Sequence, residues 1–113
     1  MNATLKTAFQ NCVRELTDNR PAEDVGDVYC LELAEALKGA GRISRKERDL
    51  VSAMRDAYKA AHDARVLAAS GRGFELDEEG YMADTVEMTI ARNDFDSAIF
   101  EILPLTKELD LWS

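Results

Sequence analysis

The chain has 113 residues, 46% hydrophobic and 32% charged, with 22 acidic against 14 basic side chains and a net charge of -8. That length fits one domain burying about two-thirds of its unfolded surface, and the composition is that of a folded globule, not a disordered segment. The acid excess disfavours direct contact with nucleic acid or an anionic membrane surface, and no run approaches the ~18 apolar residues that cross a bilayer.

The first helix is expected from Thr4 to Asp18, because Leu5, Phe9, Cys12, Val13 and Leu16 recur at helical spacing. Pro21 suits the first position of a second helix, where its missing N–H costs nothing. Glu23 and Asp24 favour the positive end of its dipole. Val25, Val28, Tyr29, Leu33 and Leu37 extend it to Lys38, before the stops Gly39 and Gly41. Ser44 and Glu47 read as the capping box of a long third helix ending near Ser70, with Gly71 as its stop. The seam of that helix is Leu50, Met54, Ala57, Ala61, Ala64 and Ala68, small enough for another helix to approach closely.

Arg72 to Leu76 is too short and too charged to found a sheet. A fourth helix is expected from Asp77 to Arg92, with Met82, Val86 and Ile90 inward. A fifth runs from Asp94 to Leu103, with Phe95, Ile99, Ile102 and Leu103 inward, and ends at Pro104. A last turn sets Leu105, Leu109 and Trp112 against the body. The expected fold is all-α, a compact bundle of four to five helices in a single domain spanning 1–113, without a sheet.

Few residues suggest a chemical site. Gly41 to Glu47 resembles the second half of a calcium-binding EF-hand loop, but the ligand positions of the first half hold Ala36, Lys38 and Ala40. A hard cation needs about six oxygen ligands, so neither calcium nor another metal is expected. Cys12 and Cys30 lie nine residues either side of Pro21. They read as buried free thiols, because packed helix axes stand ~8–10 Å apart and a disulfide needs Cα atoms within ~7 Å. His62 is the single histidine and has no nucleophile in a strained turn to serve. No cofactor motif is present, and no enzyme is expected. The opening residues lack the pattern of a secretory signal, so a cytoplasmic location is expected.

Two surfaces stand out. Arg42, Arg45, Lys46 and Arg48 crowd the start of the third helix, an exposed charged turn or a secondary site for an anion, phosphate or carboxylate, or an acidic partner. Residues 72–113 carry 3 basic and 11 acidic side chains, whereas residues 1–71 balance 11 against 11. Within that acidic third, Tyr81, Asp84, Glu87 and Met88 fall on the side of the fourth helix opposite its apolar stripe. Either that helix is sandwiched between neighbours, or these residues form a partner patch with apolar anchors and a charged rim. The expected function is non-enzymatic binding, and inhibition, of a protein with a basic or nucleic-acid-binding surface. An inhibitor carried by a phage or mobile element, of the anti-CRISPR kind, is one form. An immunity protein or antitoxin facing a basic toxin is a second, and a self-associating subunit, such as a homodimer, a third.

Overall fold

The computed structural model describes all residues 1–113 and contains four α-helices and one small β-hairpin. Helix α1 (Ala3–Thr17) starts where the Asn2 side-chain oxygen accepts the Leu5 N–H at 2.7 Å, which satisfies one of the free donors of the first turn. Its expected face is buried in full: Leu5, Phe9, Cys12, Val13 and Leu16, joined by Ala8.

The second helix begins later than its sequence suggests. Ala22–Asp24 form a short 3-10 turn, and helix α2 covers only Val28–Ala40. Three tertiary anchors hold the break open. Val25 is buried, its carbonyl accepts from the Arg65 guanidinium at 2.7 Å, and the Gly26 N–H donates to Glu15 Oε1 at 3.0 Å. Glycine disfavours a helix interior, so these contacts outweigh one more turn. One consequence is a correction: Val28, expected inward, is 70% exposed.

Helix α3 (Arg45–Ala69) carries the Ser44 cap, whose Oγ accepts the Glu47 N–H at 3.2 Å. It ends in a Schellman closure. The Arg72 N–H donates to the Leu67 carbonyl and the Gly71 N–H to that of Ala68, with Gly71 at φ 73°. At 1.5 Å per residue the helix is about 37 Å long. It forms the most extensive contact in the molecule with helix α4 (Val86–Glu108). The two run antiparallel, as Lys46 of α3 reaches Glu108 of α4 at 3.7 Å. Ala57, Ala60, Ala61 and Ala64 of α3 and Ala91 and Ala98 of α4 are all buried, so the backbones pack closely. The molecule is a bundle of four helices, within the expected number, but it is drawn out to 54 × 23 × 20 Å.

The hairpin corrects the expectation of no sheet. Strand β1 (Phe74–Leu76) pairs antiparallel with β2 (Met82–Asp84), placing Phe74 opposite Asp84 and Leu76 opposite Met82. The helix expected from Asp77 is pre-empted by turn chemistry. Asp77 Oδ1 accepts the N–H groups of Glu79 and Tyr81, both at 2.9 Å, and Gly80 takes φ 86°. An aspartate that binds its own downstream backbone competes with a helix. Thr85 then ties the hairpin to α4: its hydroxyl donates to the Arg72 carbonyl at 2.9 Å and accepts the Met88 N–H at 3.3 Å.

The fourth and fifth helices of the sequence reading are one continuous helix, with Pro104 inside it. Pro104 lacks the N–H that would bond the Phe100 carbonyl. Phe100 is 79% exposed, so water can take that carbonyl and the helix survives. The C-terminal residues fold back onto α1. Leu111 is fully buried, Gln10 Nε2 donates to its carbonyl at 2.9 Å, and the Arg14 guanidinium stacks 5.0 Å above the Trp112 ring. Leu111, not Trp112, is the anchoring side chain; Leu105 and Leu109 are half-buried against the core.

Candidate interaction groove

The inner face of α4 is Met88, Ala91, Phe95, Ala98 and Ile102. Val86, Ile90, Phe100 and Leu103 face solvent, and Met82 is exposed on the hairpin. The phase is thus inverted relative to the sequence reading, which put Met82, Val86 and Ile90 inside. The four expected contact residues do not share a face. Tyr81 is exposed beside the hairpin turn, Glu87 is exposed on the first turn of α4, and Met88 lies fully in the core. Asp84 is a structural residue. Arg92 bonds it at 2.5 Å and Glu23 at 2.6 Å while lying 5.7 Å from the Phe74 ring centre, clamping hairpin, 3-10 turn and α4 together.

The basic turn holds its expected place. Arg42, Arg45, Lys46 and Arg48 are all exposed at the elbow between α2 and α3. Arg48 and Arg55 border a hollow floored by Leu37, Ile43 and Val51.

The residues that do come together line the seam of α3 and α4. Asp56 and Asp63 share a surface hollow with Asp94 and Glu101. Asp63 and Asp94 also border the next hollow, with Glu87 and His62, over a floor of Val66, Leu67, Ile90 and Ala91. The result is one groove with an apolar floor at the hairpin end and carboxylates along both sides. Sequence reasoning found Glu87 alone among these acids. The signal for the others was a seven-residue recurrence: Asp49, Asp56 and Asp63 on α3, and Glu87, Asp94, Glu101 and Glu108 on α4. Seven residues advance two helical turns, about 10.5 Å, so each set forms a row along one side of its helix. All seven side chains are exposed.

The chemistry available there is electrostatic attraction and apolar contact. Asp56, Asp63, Glu87, Asp94 and Glu101 form no ion pair within the chain, and Lys59 is the one lysine or arginine among the lining residues. Carboxylates in such a row sum their fields and draw cationic side chains. No three His, Cys, Asp or Glu side chains converge closely enough to hold a metal ion.

Away from the groove, the Cys12 thiol is buried, donates to the Tyr29 carbonyl at 3.1 Å, and is pushed up by burial to about 12 from an ordinary 9.0. A thiol held protonated is a poor nucleophile, so its place is structural. Cys30 is free and half-buried, less enclosed than expected. His62 is exposed on the groove wall. No family model, curated protein or solved structure matches the chain.

Proposed function

We propose that this protein binds a basic protein surface through the α3–α4 groove and acts by covering that surface, without catalysis of its own. One observation carries the reading: exposed carboxylates without an ion pair in the chain, Asp56 and Asp63 on one side and Glu87, Asp94 and Glu101 on the other, flank a groove whose apolar floor includes Ile90 and Val66, 55% and 42% exposed. Charges at the rim steer encounter and buried apolar contact at the centre holds the complex. The groove favours a cationic amphipathic segment, such as a helix laying its apolar face on the floor with lysines or arginines reaching both rows. Catalytic carboxylates work in desolvated clefts, whereas these are exposed to water.

The narrower form of the proposal is an inhibitor of the counter-defence kind, in which the covered surface is one that otherwise grips nucleic acid. The same carboxylate rows that attract lysine and arginine repel phosphate, which suits a competitor for such a surface. The test is capture from extracts of the source cells with tagged wild type and with Asp63→Lys/Asp94→Lys. Retention of a basic protein by wild type alone, weakening as salt rises, supports the reading, and its nucleic-acid binding is then measured with and without the inhibitor. Equal retention by both baits removes the groove from the account.

A further inference from the structure

The basic elbow supplies a second, complementary surface. Its hollow has an apolar floor of Leu37, Ile43 and Val51, and Arg48 and Arg55 on its border. Arg42 and Arg45 stand beside it at the start of α3, and none of these four arginines forms an ion pair within the chain. Elbow and groove thus share one construction, apolar below and charged around, with opposite signs. Asp56 lies near the middle of α3 and borders both hollows, so the two surfaces adjoin.

We propose that the occupant of the elbow is a second copy of this chain, presenting its own acidic groove. A two-fold arrangement near Asp56 would make the contact twice at once, elbow to groove and groove to elbow. An isologous pairing of that kind closes as a dimer instead of growing into a chain. Each contact brings unpaired arginines against unpaired carboxylates and covers both apolar floors. Lys59 in the groove, and Asp56 and Asp49 at the elbow, oppose the pairing locally, but they are outnumbered by the groove carboxylates and by Arg42, Arg45, Arg48 and Arg55 respectively. Because the dimer occupies the groove, it competes with a basic partner, and partner binding is coupled to separation of the two copies. The dimer itself stands apart from the function proposed above, and only its coupling to partner binding rests on that reading.

Sedimentation velocity tests it. At low ionic strength the mass should rise with concentration from 12.6 kDa toward twice that value. In concentrated salt, where the screening length shrinks to about 3 Å, it should return to the single chain. Arg48→Glu/Arg55→Glu and Asp63→Lys/Asp94→Lys should each sediment as monomers, with helical circular dichroism unchanged because all four positions are exposed. An equimolar mixture of the two variants should recover the dimer, since at one contact reversed elbow meets reversed groove, at the other native elbow meets native groove, and both keep opposite signs. A wild type that stays at 12.6 kDa at every concentration in low salt overturns the proposal. So does a dimer that persists in both separate variants, or a mixture that stays monomeric. The elbow variant keeps its groove intact, so retention of a basic partner by that variant separates the fate of this inference from that of the proposed function.

Discussion

Helix α1 turns every large apolar side chain it has toward protein and shows Thr4, Thr7, Arg14 and Thr17 to water. Helix α4 has two apolar sides. Met88, Phe95 and Ile102 pack inward, while Val86, Ile90, Phe100 and Leu103 face out. Both helices begin on a side-chain oxygen cap and both show helical periodicity. The difference lies in supply: α1 carries as much apolar surface as the core absorbs, and α4 carries more. Exposed large apolar groups in concert mark contact with something outside the chain, so the surplus on α4 is the feature that folding alone does not explain.

The strongest way to break this comparison is to truncate each side of α4 in turn. Met88→Ala should cost about 2–5 kcal/mol and Phe9→Ala on α1 about 3–5 kcal/mol in urea unfolding. Val86→Ala, and Tyr81→Ala on the hairpin, should stay within about 0.5 kcal/mol, as exposed positions do. A tolerated Met88→Ala, or an unfolded Tyr81→Ala, would return α4 to the phase its sequence suggests.

A smaller effect sharpens the seating of the hairpin. A Cβ built on Gly73 would lie 2.4 Å from the Met88 terminal methyl and 3.4 Å from backbone atoms of Leu67 and Ala68. Met88 is fully buried, so its side chain has little room to retreat. Gly73→Ala should cost about 1–3 kcal/mol by overpacking, read as a lower melting temperature, and Gly73→Ala/Met88→Ala should show a clear favourable coupling. Additive losses would mean that the two sites do not meet.

The clamp at Arg92 ranks next. Arg92→Met leaves Asp84 and the largely buried Glu23 without their cation, at a cost of about 1–2 kcal/mol after allowance for partial exposure. Amide exchange should quicken in the β1–β2 ladder more than in α1. Uniform acceleration along the chain would argue against a local clamp.

Thiol chemistry gives the smallest signal. Cys30 should alkylate in the native protein, and Cys12 only when the chain unfolds. The folded state raises the pKa of Cys12 from 9.0 to about 12, favouring the protonated thiol. Its contribution to stability is therefore fully present below pH 9.0 and is lost as pH rises from there toward about 12. Tyr58, buried close to Cys12 and shifted in the same direction by burial, adds to that alkaline limb. Native alkylation of Cys12 at the rate of Cys30 would contradict the burial.

How far the sequence carried depended on whether local and tertiary preferences agreed. The phase of α1, the Ser44 cap and the alanine seam of α3 were legible because spacing, cap and burial all pointed one way. The break at Gly26 was not, because it depends on Glu15 and Arg65, distant in sequence. The hairpin was hidden by its charge and by three-residue strands, although Asp77 and Gly80 are turn residues. The phase of α4 was ambiguous in principle: two apolar stripes at helical spacing give no local reason to prefer one. The acidic rows were legible as a seven-residue recurrence, but their union into one groove required the antiparallel pairing of α3 with α4.

The central claim is that the inner side of α4 folds the protein and its outer side, with the acids beside it, binds a basic partner. Ile90→Lys places a cation on the groove floor at a half-exposed position, and the direct measurement sets its unfolding free energy beside its retention of the captured basic protein. The account predicts a free energy within about 1 kcal/mol of wild type and loss of the partner. Full retention by a folded Ile90→Lys protein would contradict it.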